Sequence, residues 1–172
     1  MQGNQELRGI LRPPNPDELR SFNSALEGCG ATLPANYTLL VHELSYREVY
    51  VFSDTMVLRV AEQLSVKRNV YFAGIFAGSF RRGRFRLGLD LAEHLYRLGR
   101  LSSIVEVNYE EEQRFLYGRD LEGLTPRENL STSGTVVVVN GAGDVLGLGR
   151  YDERSGRLAN LVDKGWYLRR GH

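Results

Sequence analysis

Residues 135–149 read TVVVVNGAGDVLGLG, and the fold class turns on this stretch. Thr135 to Val139 is an unbroken run of β-branched residues and the strongest strand signal in the chain. Asn140-Gly141-Ala142-Gly143 is turn chemistry, because Asn and Gly tolerate the backbone angles of a tight reversal. Asp144 to Gly149 reads as the returning strand. No helix signal follows either glycine cluster, and no Lys-Ser or Lys-Thr completes a phosphate loop. The glycines therefore fit a turn and a closely packed strand, not a nucleotide cradle. Downstream, Leu158 to Val162 and Trp166 to Leu168 read as further short strands, with Trp166 directed into the core. Upstream, Ile104 to Val107 is a strand, Asn108 caps a helix reaching Tyr117, and Gly118 ends it. Glu110, Glu111 and Glu112 sit in that helix's first turn, where carboxylates favour the helix dipole, so they need no metal to explain them. Short strands around one short helix predict a small barrel over residues 101–172.

The first hundred residues read differently, as a mixed α/β unit. Residues 1–14 are polar, carry Pro13-Pro14, and look like an arm that need not be ordered. Asn15 caps a helix with Pro16 in its first turn, and Leu19, Phe22, Leu26 and Cys29 follow its apolar stripe to Gly28 and Gly30. Tyr37 to Leu44 and Glu48 to Phe52 form a hairpin. Ser53 or Asp54 starts a second helix reaching Leu64, with Met56, Val57, Val60, Ala61 and Leu64 inward. Val70 to Gly78 and Arg84 to Leu89 form another hairpin, turning through Arg81-Arg82-Gly83. Asp90 caps a helix over Leu91 to Leu98 that Gly99 closes. The whole chain is thus expected to be α+β, with domains at 1–100 and 101–172.

Composition sets the partner classes. The net charge of +1 argues against a uniformly basic coat, but the charge is unevenly spread. Residues 81–100 hold six Arg against Asp90 and Glu93, and residues 147–172 hold six cations against three acids. Between them, residues 106–128 are acidic. Only Lys67 and Lys164 among the 22 cations are Lys, and Arg is the better residue for forked phosphate contacts and base stacking. A general Arg bias accounts for that preference equally well. Cys29 is the sole cysteine, which excludes an internal disulfide and fits a reducing compartment. Its Gly28-Cys29-Gly30 setting is a helix end, and His42, His94 and His172 show no spacing that would activate it. No apolar run approaches the ~20 residues of a membrane span, and no signal peptide is visible. A cytoplasmic protein is expected, or a nucleolar one in a eukaryote. No Cys/His pair has metal spacing and no nucleophile elbow appears, so no catalytic residue, metal or cofactor is expected.

Helix, glycine, strand and glycine-rich strand occur in a set order: Glu111 to Gly118, Val136 to Asn140, Gly143 to Gly149. This order resembles a PUA domain, an RNA-binding module. Gly74 to Phe80 followed by Arg84-Phe85-Arg86-Leu87 is similar to the glycine-aromatic hairpin of the Nip-seven family of ribosome-biogenesis factors. Glu112 to Gly118 resembles that family's PUA helix and Gly165 to Arg169 its closing strand. The likeness spans roughly residues 37–172. Gly88 departs from it, standing where a His is frequent. The resemblance implies a pre-PUA domain followed by a PUA pseudo-β-barrel of archaeal type. It also implies a non-enzymatic protein that binds uridine-rich single strands and pre-ribosomal RNA during rRNA processing and large-subunit assembly. Expected partners are therefore RNA, the pre-ribosomal particle and other assembly factors, around a monomer.

Members of that family bind RNA through basic PUA residues, which implies Lys164, Arg169 and Arg170 first, then Arg157 and Arg150. Solvated surface charge is the plainer alternative for all five. PUA domains bring the glycine loop after the helix close to RNA, which implies Gly118 and Arg119; a plain helix C-cap explains the glycine as well. Arg81, Arg82, Arg84 and Arg86 share a hairpin tip. Alternation puts Arg84 and Arg86 on one face and Phe85 and Leu87 on the other. They are a candidate second RNA contact or an edge strand charged against aggregation. Two other functions stay open: an RNA-modification enzyme or its accessory subunit, using Cys29 or an N-terminal Asp, and an adaptor docking a basic protein on residues 106–128.

Overall fold

The computed structural model describes residues 10–43, 47–59, 74–124 and 134–169. Chain contacts divide the molecule into two compact units, residues 1–23 with 34–91 and residues 24–33 with 92–172.

The first unit is built on a five-stranded sheet, β1 (Ile10–Arg12), β2 (Thr38–Glu43), β3 (Arg47–Phe52), β4 (Ile75–Arg81) and β5 (Arg84–Leu87), in sequential order. Every neighbouring pair is antiparallel. Ile10–Arg12, read from sequence as part of an arm, therefore pair with β2. Helix α1 (Pro16–Glu27) starts where Asn15 predicts, and its residues 16–23 belong to this unit. Asn15 Oδ1 accepts the Glu18 N–H at 2.9 Å and Glu18 Oε2 accepts the Asn15 N–H at 2.9 Å, a reciprocal capping box. Phe22 of α1 packs on Phe85 at 4.9 Å, and Phe85 on Phe80 at 5.4 Å. Another apolar cluster joins Leu40, Tyr50 and Phe52 to Leu11, Leu58 and Phe76. Leu58 comes from helical residues 55–59, where Asp54 Oδ1 accepts the Met56 N–H as a cap.

Three expectations fail here. Leu19, Met56 and Val57 are exposed, because an apolar stripe is buried only where a partner surface reaches it. Asp90 lies inside helix α2 (Leu89–Arg97) and does not cap it, since the helix begins two residues earlier than expected. The β4–β5 turn is the dipeptide Arg82-Gly83 alone, with Arg81 in β4. The remaining expectations for Val60, Ala61, Leu64 and Val70 to Ala73 lie outside the described residues.

Both turn residues have positive φ, +51° at Arg82 and +77° at Gly83. That is a type I′ reversal, whose twist suits a two-residue hairpin but whose first position favours Asn or Gly. An L-residue with a Cβ costs about 1 kcal/mol there. Arg82→Asn is accordingly expected to raise stability by about 0.5–1 kcal/mol, seen as a higher urea midpoint at an unchanged m value.

The second unit carries a four-stranded sheet in the order β6 (Ile104–Val107), β7 (Thr135–Asn140), β8 (Val145–Asp152), β9 (Arg157–Asp163). β6 and β7 are parallel and the other pairs antiparallel. The parallel pair requires a crossover, and helix α3 (Tyr109–Leu116) lies in it. Val136 to Val139 are all buried, the pattern of a strand covered on both faces. One core gathers Val105, Val107, Val136, Val138, Leu146, Tyr151 and Leu158 around Phe115 of α3 and Leu121. Leu121 and Leu158 exchange backbone hydrogen bonds of 2.9 and 2.8 Å, which extends the sheet toward closure. Residues 24–33 complete the unit: Ala31 bridges Leu101, and the Ser102 N–H donates to Gly30 O at 3.1 Å. The α+β class expected from the sequence therefore holds, and no helix among the described residues is long and apolar enough to cross a membrane.

Residues 166–168, expected as a strand, instead open helix α4 (Trp166–Arg169). Trp166, expected in the core, is 42% exposed. The reason is Arg169, whose Nη1 and Nη2 each donate to the Asp163 carboxylate at 2.9 Å. A strand would carry Arg169 about 20 Å from Asp163; one helical turn returns it.

Candidate nucleic-acid interface

The site is assembled on α3, and its sequence fixes both ends of that helix. Asn108 Oδ1 accepts the Glu111 N–H at 3.0 Å, and Glu111 Oε2 accepts the Asn108 N–H at 2.8 Å. At the other end Gly118 has φ +78°, its N–H donates to Phe115 O at 2.8 Å, and the Arg119 N–H donates to Arg114 O at 3.1 Å. That is a Schellman motif, so Gly118 is a helix stop by geometry. Phe115 is the buried anchor between the caps. Burying Phe115 turns its neighbours Gln113, Arg114 and Tyr117 outward.

Arg114, Tyr117 and Arg119, with Gln113, line one shallow hollow of about 350 Å³. Tyr117 is 69% exposed. Neither Arg114 nor Arg119 forms an ion pair among the described residues. An open phenol ring beside two guanidiniums can stack a base and hold the flanking phosphates. Arg169 braces this corner from below. Besides Asp163, its guanidinium donates to Leu116 O, and it lies where a Cβ on Gly118 would approach Arg169 Nη2 to 3.0 Å. Gly118 is thus favoured for its φ, and a side chain there would press on the Arg169 guanidinium.

The opposite end of α3 has the contrary charge. Glu106, Glu111 and Glu112 help line a hollow of about 650 Å³ with Asn108, Tyr109 and Asn140. Its carboxylates repel a polyanion, which leaves the Gly118 corner as the favourable end.

The cations expected to bind RNA occupy several situations. Arg169 is bound to Asp163, a 4% exposed carboxylate, and the pairing raises the guanidinium pKa. Arg157 donates to Asp120 at 2.5 Å; Asp120 also accepts the Asn160 N–H at 2.8 Å, and these bonds hold its carboxyl below the usual range. Lys164 pairs with Glu93 at 2.7 Å. Arg150 is exposed on β8, opposite Thr135 and Ala159, without an ion pair among the described residues. Arg170 lies outside the described residues. Gly118 and Arg119 belong to the corner above; Arg81, Arg82, Arg84 and Arg86 are exposed in the first unit. Arg114 and Tyr117 were legible but not singled out by the sequence reading: once Phe115 is taken as the inward residue, positions 114 and 117 must face out.

Cys29 is fully buried, its thiol donates to Leu26 O at 3.2 Å, and burial pushes its pKa up to about 11. A thiolate nucleophile is disfavoured there. No group of three His, Cys, Asp or Glu among the described residues is placed to hold a metal.

A family model described as the UPF0113 PUA domain matches residues 103–172. A UPF0113 protein of Archaeoglobus fulgidus is 37% identical over 173 residues, covering 92% of this chain and 94% of that one. The chain belongs to the UPF0113 family. A second UPF0113 protein, from Aeropyrum pernix, is 35% identical over 181 residues and 99% of both chains. The fold is shared more widely than the family's sequence. A hypothetical protein of Pyrococcus horikoshii superposes with TM-score 0.56 at 14% identity, covering 92% of this chain and 99% of its own. A conserved PUA domain protein of Thermoplasma acidophilum gives 0.55 at 14%, covering 92% and 97%. The second unit of this UPF0113 chain is therefore a PUA domain, a class of module that generally binds RNA.

Proposed function

We propose that this UPF0113 protein is a non-catalytic RNA-binding protein that takes single-stranded RNA at the Gly118 corner of its PUA domain. The observation that carries the reading is Tyr117, exposed between Arg114 and Arg119 on a helix end locked by its own cap. A stacked base gives affinity without demanding a duplex, and the two guanidiniums supply forked phosphate contacts. The residues shared with the Nip-seven family support a uridine-rich target in pre-ribosomal RNA and a role in large-subunit assembly. In that setting a monomer works beside other assembly factors in the cytoplasm. The buried Cys29 speaks against a thiol-based modification enzyme.

Fluorescence anisotropy with labelled uridine, adenosine and cytidine oligomers and a duplex control tests this. Tyr117→Ala is expected to weaken single-strand binding by roughly 1–3 kcal/mol, with little change in salt dependence. Arg114→Gln with Arg119→Gln is expected to lower the slope of log K against log salt by about 1.4, roughly 0.7 per phosphate on a single strand. Wild-type affinity and slope in both variants would remove the corner as a binding site. Crosslinking in cells, followed by sequencing of the bound RNA, tests the ribosomal assignment.

A further inference from the structure

In an antiparallel pair, residues directly opposite each other leave the sheet on the same face. Arg81 lies opposite Arg84, and Ser79 opposite Arg86. Arg81, Arg84 and Arg86 therefore share one face of the β4–β5 ribbon, with Phe80 and Phe85 buried on the other. Arg82 stands at the tip. None of these four forms an ion pair among the described residues, although Arg12, Arg20 and Arg47 of the same unit all do. Glu48, in register with Ser79 one strand further in, accepts the Tyr50 hydroxyl at 2.8 Å.

This arrangement exceeds what protecting an edge strand requires. Charges that discourage edge pairing need not be placed directly opposite one another. Two guanidiniums directly opposite each other repel, and Arg82 occupies a backbone position better suited to Asn. Among the described residues these guanidiniums thus have no ionic partner, and an external anion would relieve their mutual repulsion. Along an extended strand Arg84 and Arg86 are about 6.7 Å apart, and Arg81 is about 5 Å across from Arg84. That ladder suits consecutive phosphates better than one isolated anion. The exposed side chains of the hairpin are all guanidiniums, so it recognises charge without sequence, as backbone contacts do.

We propose that the β4–β5 hairpin is a second RNA-binding site, which grips the phosphate backbone of a single strand through Arg81, Arg82, Arg84 and Arg86. The proposal takes its ligand class from the RNA reading above but uses none of the residues of the Gly118 corner.

The test titrates a long labelled uridine oligomer with the full chain across a salt series. The variants compared are Arg81→Gln/Arg84→Gln/Arg86→Gln, the same three positions as Lys, and Arg114→Gln/Tyr117→Ala/Arg119→Gln. The hairpin Gln variant is expected to lower the salt slope by about 2 and to weaken binding roughly tenfold or more at low salt. The Lys variant should keep the wild-type slope, because the charges remain. Thermal melts by circular dichroism establish that each variant is folded. Wild-type affinity and slope in a folded hairpin Gln variant would overturn the proposal. So would unchanged RNA binding together with lost binding of poly-L-glutamate, which would point to an acidic protein instead. Loss in the hairpin variant with none in the corner variant would leave this proposal standing and remove the Tyr117 reading. The reverse result would do the opposite.

Discussion

Gly147→Ala is expected to destabilise the PUA domain by roughly 3 kcal/mol. A Cβ at Gly147 would overlap Val162 O and lie 2.8 Å from Phe115 Cε1 and 2.9 Å from Asp163 Cα. Two of those atoms are backbone of β9 and the third belongs to a fully buried ring. None can yield without parting β8 from β9 or displacing α3. Gly141→Ala is the matched control, in the β7–β8 turn. Its Cβ would meet only Glu106 Oε1 at 3.9 Å, and a change within about 0.5 kcal/mol is expected. Urea denaturation of both variants checks this; equal midpoints would mean that β8 and β9 are not packed as tightly as the steric argument requires.

Glu18→Gln is expected to destabilise the first unit by roughly 2–3 kcal/mol. Glu18 is 3% exposed and accepts from Arg12 Nη1 at 2.8 Å, Arg12 Nη2 at 2.9 Å, Arg47 Nη1 at 2.8 Å and the Asn15 N–H at 2.9 Å. One carboxylate therefore ties β1, β3 and the start of α1 together. The Arg12 guanidinium is the main reason its pKa falls from 4.5 to about 2, with burial opposing the shift. A carboxyl whose pKa is lower in the folded state stabilises fully above its unfolded value, and that contribution disappears as pH falls through the folded value. Wild-type stability should thus decline between about pH 5 and pH 2. Glu18→Gln should lack this component of the decline. Parallel pH profiles for the two proteins would show that Glu18 is not the group responsible.

What the sequence makes legible here is mostly local. Asn15 and Asn108 announce helix starts because the side chain, the backbone and the acid three residues on act within one turn. Thr135 to Val139 announces a strand by β-branching alone. The errors arise where a distant partner decides. Trp166 to Leu168 have strand-like side chains, yet the buried Asp163 carboxylate draws Arg169 back and winds the segment into a helix. Leu19 looks like a stripe residue, and nothing in its own turn of helix reveals that it stays exposed. The same limit shaped the candidate site. The family resemblance implies Arg157, Lys164 and Arg169, but not that Asp120, Glu93 and Asp163 pair with them. Gly118 is legible from the sequence as a helix stop, while its role beside Arg119 in RNA binding rests on the PUA resemblance.

The PUA unit draws on two stretches of chain, residues 24–33 and residues 92–172. A single cut therefore cannot release it intact. A fragment beginning at residue 101 leaves behind Gly30 and Ala31, which bond Ser102 and bridge Leu101, and also leaves Lys164 without Glu93. Exchange between relatives by simple recombination at the midpoint would produce hybrids with mismatched seams. A continuous cassette that holds both stretches must span residues 24–172.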